Sequence, residues 1–351
     1  MKAGIISFTE HGRILARKLV RGMGEKGILC EAWLKKKDAV QEDQDEVLVL
    51  TGSLTEWTKE QFNKKDVLVY IGAAGIAVRS IAPFIKSKKT DPAVIVVDEQ
   101  GKHAISLLSG HIGGANAMTL LTAELLGAEP VITTATDLNG KFAVDAFAAR
   151  RNLYMDSMVC AKEIASELVA GHQTGMRSAF PVFGRVPEEL DQTGTPRTGF
   201  SVDIRRSSPF ERTLHLVPRV VTLGIGCRKG MAAEQIEALV EETLEQYGIF
   251  RESVECIASI ELKKEEEGIR RLADSLGVPF QVYTAEELRQ VSCEDGFTES
   301  DFVRSVTGVG NVCERAALLG AGTDRLLIPK TAREGVTMAA AVRDYTVCME
   351  D

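Results

Sequence analysis

A chain of 351 residues exceeds one ordinary core, so two or three domains are expected. Hydrophobic content of 44% with 26% charged residues is that of a globular protein, which argues against extended disorder. A formal net charge of -8 argues against broad nucleic-acid or acidic-membrane binding, while leaving room for a local cationic pocket. The apolar start Met1–Ser7 is too short for a signal peptide and no later run approaches a membrane span, which predicts a cytoplasmic chain. Cys30, Cys160, Cys227, Cys256, Cys293, Cys313 and Cys348 are scattered and never form a C-x-x-C pair, so reduced thiols are expected. His11, His103, His111, His172 and His215 show no close ligand spacing with each other or with cysteine, and no metal site is predicted.

The first third alternates strands and helices: strand 3–8, helix 12–26, strands 28–33 and 47–50, and a helix over 57–62 opened by a Ser53-x-x-Glu56 capping box. Strand 67–71 ends in Gly72-Ala73-Ala74-Gly75 before a helix over 76–85. Strands 93–97 and 103–108 follow, the second feeding a glycine turn and a helix over 115–126. Such alternation favours a largely parallel sheet covered on both faces. Between 133 and 216 the pattern weakens to two helical stretches, a Pro/Gly/Thr-rich segment, and strands 200–204 and 213–217 that could pair. A second α/β unit begins with strand 220–223 and the turn Gly224–Gly230, then a helix placing Ile236, Leu239, Val240, Thr243, Leu244 and Tyr247 on one face. Strands 254–259, 280–283 and 326–328 alternate with helices near 266–276, 285–289 and 311–319, and Thr284-x-x-Glu287 caps the second of these helices. The predicted architecture is two α/β domains, 1–132 and 217–351, with largely parallel sheets, joined by a smaller middle region, 133–216.

Ligands of parallel sheets sit where strands lead into helices. Four turns qualify: Thr9–Gly12, Gly72–Gly75, Ser109–Asn116 and Gly224–Gly230. Ser109–Asn116 is the richest. Ser109 and Asn116 can hydrogen-bond, Gly110, Gly113 and Gly114 free the backbone, and His111 can move a proton near neutral pH. The amides around Gly113 and Gly114 could form an oxyanion hole; the plainer reading is a tight turn with a capping histidine. Gly224–Gly230 resembles the start of a dinucleotide fingerprint, but the acid expected about 20 residues on is not there; the next strand ends near Glu261. Cys227 beside Arg228 and Lys229 at a helix N-terminus would have a lowered pKa, but no histidine follows it in the chain, and a buried or merely capping cysteine is the favoured reading. Arg79, Lys263 and Lys330 stand at strand or helix ends, either solvated or gathered round an anion.

These residues together resemble the CbiG family of anaerobic cobalamin biosynthesis. The likeness runs through Ile71–Arg79, Leu108–Asn116 and Thr133-Thr134-Ala135-Thr136-Asp137. It resumes at Gly224–Arg228, Ser259, Lys263, Glu266 and Gly268, and closes with Gly308, Val309, Val312, Glu314–Ala317, Lys330 and Thr337. The sequence departs in carrying Asn311 where serine is common, and its acidic run Glu265–Glu267 offers more than one acid at the Glu266 position. The resemblance implies a cobalt-precorrin-5A hydrolase, opening the δ-lactone of a ring-contracted cobalt corrinoid with release of acetaldehyde. It implies no cofactor beyond the cobalt carried in the substrate, and an anionic tetrapyrrole partner with transient contact to other pathway enzymes. The resemblance marks these residues as shared motif positions without assigning roles; the chemistry of the residues suggests His111 as the base, the Gly113 and Gly114 amides for the oxyanion, and Ser109 and Asn116 to orient the lactone. On this reading Gly72, Gly75, Arg79, Gly110, Thr134, Asp137, Gly226, Cys227, Arg228, Lys263, Glu266, Glu314 and Lys330 bind substrate, and the Leu107–Asn116 turn, read beside Gly72–Arg79 and the C-terminal motifs, becomes one wall of an interdomain cleft. A non-catalytic corrinoid carrier and a nucleotide-dependent oxidoreductase built on Gly224–Gly230 are the rival readings.

Overall fold

A computed structural model describes the whole chain except residues 38, 42–44, 88–89, 111–112, 135–139, 295 and 351. The chain divides into two compact units, Met1–Ala149 and Arg150–Asp351. No helix among the described residues is long and apolar enough to cross a membrane.

The first unit runs β1 (Lys2–Ser7), α1 (Glu10–Glu25), β2 (Leu29–Leu34), β3 (Val47–Val49), α2 (Leu54–Lys64), β4 (Val67–Ile71), α3 (Ala74–Ile81), β5 (Ala93–Val97), β6 (His103–Leu108), α4 (Ala115–Leu126) and β7 (Glu129–Val131). A further helix, α5 (Val144–Arg150), spans the division between the units. Every residue of β4 and β5 is buried, as near-continuous Val/Ile runs require when helices cover both sheet faces. Side chains alternate faces along a strand, so Ala3 and Ile5 pack with α1 and α4 residues, and Ile6 packs with residues of α2 and α3. Thr9 caps α1 by accepting from the Gly12 amide at 3.0 Å, and Ser53 caps α2 by accepting from Glu56.

The seven strands are ordered β3-β2-β1-β4-β5-β6-β7. The first five are parallel, but β6 runs antiparallel to β5, with Val97 opposite Ala104 and Val94 opposite Leu108. The reason is the link between them. Only residues 98–102 join β5 to β6, too few for a parallel crossover, and they form a tight turn in which Asp98 accepts from the Gln100 and His103 amides. Since β7 is parallel to β6, the ends of β6 and β7 lie on the edge where β1, β4 and β5 begin.

In the second unit, β8 (Tyr154–Met155), α6 (Met158–Val169), β9 (Thr174–Ser178), β10 (Val182–Phe183), β11 (Leu190–Asp191), β12 (Thr198–Val202) and β13 (Arg212–Val217) come first. The expected pairing of the two longest strand runs is present, as parallel β12 and β13 in a five-stranded sheet ordered β11-β9-β12-β13-β8. There follow β14 (Val221–Cys227), α7 (Ala233–Gln246), β15 (Val254–Ile260), α8 (Glu267–Leu276), β16 (Phe280–Tyr283), α9 (Ala285–Gln290), α10 (Asp301–Thr307), α11 (Cys313–Ala321), β17 (Leu326–Arg333), β18 (Val336–Val342) and β19 (Val347–Cys348). Their sheet is β16-β15-β14-β18-β17, parallel except for β18, which forms a hairpin with β17. Residues of α7 and α8 fill one face around Leu223 and Ile225; α11 covers the other around Ala339 and Ala341. β19 returns to pair with β10, and Arg151 donates to the Cys348 carbonyl at 2.9 Å.

Candidate functional site

The turn after β6 is built by mutual exclusion of side chains. Ser109 holds a left-handed φ of 60°, uncommon for a residue with a Cβ, and its buried hydroxyl has no hydrogen-bond partner among the described residues. A Cβ on Gly113 would stand 2.3 Å from the Ser109 Cβ, so only glycine closes the turn. Asn116, 7% exposed, locks the loop from the helix side: its Oδ1 accepts from Ser106 Oγ at 2.6 Å and its Nδ2 donates to Thr134 Oγ1 at 2.9 Å. The Ala115 and Asn116 amides are taken up by the Ser109 and Gly110 carbonyls, whereas those of Gly113 and Gly114 make no hydrogen bond among the described residues. Two amides without a hydrogen bond among the described residues and a buried unsatisfied hydroxyl thus stand at the start of a twelve-residue helix. Thr134, at the end of β7, joins this group as expected. Ser106 is a member that the sequence did not single out, since a strand serine carries no turn or cap signal. His111 and Asp137 lie outside the described residues.

Gly72–Gly75 does not share that pocket. It follows the carboxyl end of β4, so the reversal of β6 puts it on the opposite edge of the sheet from Ser109–Asn116. Gly72 lets Phe8 approach: a Cβ there would lie 2.9 Å from the Phe8 ring. Arg79 folds back over Gly75, exposed and with no acidic partner among the described residues.

The second unit gathers its predicted residues at the carboxyl end of β14 and β15, in two groups on opposite faces. On the α7–α8 face, Glu266 accepts from the Gly230 amide at 2.6 Å and from Lys263 Nζ at 2.9 Å. Burial pushes the Glu266 carboxyl up, but Lys263 and the Gly230 and Met231 amides outweigh burial and hold it below its ordinary value. Of the run Glu265–Glu267, Glu266 is the buried acid, while Glu265 and Glu267 pair with Arg270 and Arg271. Cys227 is the partly buried cysteine favoured above, although its place in the fold differs from the helix start expected for it. It ends strand β14 rather than starting a helix, α7 beginning only at Ala233, and burial pushes its thiol up to about 11 with Lys263 only partly offsetting this. Gly224 is not a ligand-approach glycine either: a Cβ there would sit 1.8 Å from the Cys313 carbonyl, so it admits the backbone of α11. Gly226 makes similar room for Thr337, which donates to its carbonyl at 3.3 Å.

On the α11 face, Glu314 is 1% exposed and points inward. Its carboxylate accepts from the Lys330 amide at 2.8 Å, from the Thr298 amide at 3.1 Å and from Asn311 Nδ2. Expected to bind substrate, it instead ties the Thr298 loop to β17. The family departure at Asn311 fits here: its Oδ1 accepts from the Glu314 amide at 2.9 Å while its Nδ2 also reaches the Thr298 carbonyl at 2.9 Å. Lys330 Nζ donates only to the Thr298 carbonyl, at 3.4 Å, and Arg228 lies exposed beside Gly335; neither has an acidic partner among the described residues.

The described residues thus give an α/β protein with amides lacking a hydrogen bond at one strand end and cations lacking an acidic partner at another. Residues 56–137 match the family model described as cobalamin synthesis G N-terminal, and residues 221–341 match cobalamin synthesis G C-terminus. The chain belongs to this CbiG family, as its motifs predict. It is 32% identical over 360 residues to a protein of Priestia megaterium named cobalt-precorrin-5A hydrolase, covering 97% of this chain and 95% of that one. It is 38% identical over 306 residues to one of the same name from Salmonella typhimurium, covering 83% and 86%. A solved cobalamin biosynthesis protein G homolog from Sulfolobus solfataricus is similar at a TM-score of 0.39 and 22% identity, covering 98% of this chain and 97% of that one.

Proposed function

We infer that this chain is a cobalt-precorrin-5A hydrolase. Water opens the δ-lactone of the ring-contracted cobalt corrinoid, and a two-carbon unit leaves as acetaldehyde to give cobalt-precorrin-5B. The observation that carries this reading is likeness along almost the full length, 97% of the chain, to a protein of that name, with both CbiG models matched in order.

The turn after β6 supplies the groups that lactone opening requires. The Gly113 and Gly114 amides receive the oxyanion, the Ser109 hydroxyl and Asn116 orient the lactone, and His111 activates the water. That those amides and the Ser109 hydroxyl have no hydrogen-bond partner among the described residues supports this assignment. Arg228 and Lys330 take peripheral carboxylates. Lys263 is already neutralised by Glu266 and contributes by shaping the Gly230 turn. Arg79 lies on the opposite edge of the first unit's sheet and is given no part in lactone opening. Cobalt arrives within the substrate, and no resident cofactor is assigned.

Purified protein given cobalt-precorrin-5A should release acetaldehyde, read through a coupled alcohol dehydrogenase. A carrier would bind the pigment and release none; tight NADPH binding without corrinoid affinity would indicate the oxidoreductase. His111→Ala should lower kcat at least a hundredfold, on the order of what general-base removal costs, while pigment binding persists. Near-wild-type turnover would remove His111 from the mechanism.

A further inference from the structure

The short helix α10 (Asp301–Thr307) displays Phe302 and Val306, four residues apart on one face, at 77% and 61% exposure. The helix is pinned rather than frayed. Ser300 caps it by accepting from the Val303 amide, and Gly308, at φ 78°, ends it with its amide on the Arg304 carbonyl at 2.9 Å. The Ser300 amide also donates to the Gly310 carbonyl at 2.8 Å, and Arg304 and Arg315 share Glu299. Yet no residue of the helix is buried. A firmly held element that keeps a phenyl ring in water has an apolar surface without a protein partner.

Its position says what covers that surface. Val303, on the inner side, packs against a cluster that includes Ile260, the last residue of β15, and two residues further on Leu262 is 63% exposed. The preceding loop accepts the Lys330 ammonium at Thr298 and is tied through Glu314 to the start of α11. The carboxyl edge of this sheet thus carries Leu262 and α10 together with Lys330, which reaches the Thr298 loop, and Arg228 beside Gly335; neither cation has an acidic partner among the described residues. Apolar area and cations gathered at one sheet edge complement a flat apolar ring bearing carboxylates at its rim.

We infer that Phe302 and Val306 are substrate-contacting residues, against which the apolar face of the cobalt corrinoid lies while Arg228 and Lys330 meet its peripheral carboxylates. This rests on the hydrolase reading above. Both side chains point away from the core, so their replacement leaves the fold intact.

Cobyrinic acid, a stable cobalt corrinoid with peripheral carboxylates, serves as the probe, titrated into the full chain. The Phe302→Ser/Val306→Ser double variant should bind it about tenfold or more weakly, as expected for losing two apolar contacts, with unchanged thermal midpoint. Phe302→Leu should restore most of the affinity, and turnover of the double variant should show a raised KM with kcat largely kept. In a Phe302→Trp variant the added fluorescence, beyond that of Trp33 and Trp57, should be quenched by the corrinoid at stoichiometric binding. Wild-type affinity in the double variant, or an unquenched tryptophan, overturns the proposal. So does a dimer broken by the double substitution with corrinoid binding untouched, which would make α10 an interface between copies. Corrinoid binding that depends on Phe302 without any acetaldehyde release from wild-type protein would instead defeat the hydrolase reading and leave this surface standing.

Discussion

Replacing Glu314 by Gln tests whether this buried acid supports the site or belongs to it. Its two oxygens receive three donors, the Lys330 and Thr298 amides and Asn311 Nδ2, at 1% exposure. Glutamine keeps the volume but exchanges one acceptor for a donor. With its oxygen towards Lys330, its NH2 meets the Thr298 amide and Asn311; turned over, it meets the Lys330 amide. Rotating Asn311 to accept would forfeit its bonds to the Thr298 carbonyl and the Glu314 amide. At least one charge-assisted bond is lost and a donor is left facing a donor, together about 2–4 kcal/mol. Glu314→Ala, leaving three donors unsatisfied, should cost about 3–6 kcal/mol. Urea unfolding gives the total, and hydrogen exchange at the Thr298 and Lys330 amides localises it. If Glu314→Gln shifts stability by under about 0.5 kcal/mol with both amides still protected, yet weakens substrate binding, the reasoning is refuted and the acid acts on the ligand.

Two further outcomes follow from charge and burial. Arg17 and Arg13 grip Asp45, and their hydrogen bonds, with that of the Val47 amide, hold its carboxyl far below the ordinary range despite burial. A depressed folded-state pKa means that the stabilisation is complete above the unfolded value of about 4 and fades as pH falls below it towards the folded value. Asp45→Asn should therefore cost the first unit about 3 kcal/mol at pH 7 and flatten its acid-unfolding profile below pH 4, whereas an unchanged acid limb would place the pH dependence elsewhere. Cys227, with its thiol at about 11, should react with iodoacetamide more slowly than an unfolded cysteine at pH 8, the rate climbing until beyond pH 10. Fast labelling of Cys227 at pH 7 by peptide mapping would restore the activated thiol that its basic neighbours predict.

Where local chemistry is strong, the structure was readable in advance. Ile236, Leu239, Val240, Thr243 and Leu244 are all buried as their spacing predicts, while Tyr247, assigned to the same face, is the C-cap and is 37% exposed. Thr284 and Glu287 form both bonds of their capping box. Strand β18 was missed because V-T-M-A-A-A-V reads as weakly β-forming; its alanines are small to let α11 close on the sheet. Helix α10 was missed because it has no buried face to leave a periodic trace, although Ser300 and Gly308 marked its ends. The site was legible as a set of turns but not as a geometry. Nothing local announces that Glu314 points inward or that Gly224 is occupied by a helix backbone, since both depend on how α11 docks. The reversal of β6 could have been inferred from the five residues preceding it.

That reversal also sets the electrical polarity of the first unit. Each helix begins where its preceding strand ends, so α4, following the inverted β6, presents its amino terminus to the edge opposite that of α1. The two helices lie side by side, Gly22 of α1 leaving room for Leu125 of α4, with macrodipoles opposed. Opposed dipoles attract, and each sheet edge retains a positive pole of its own. An acidic residue introduced at the first turn of α4 would favour that helix yet repel an anion at the Ser109 turn, while the same change at α1 would leave the Ser109 edge untouched.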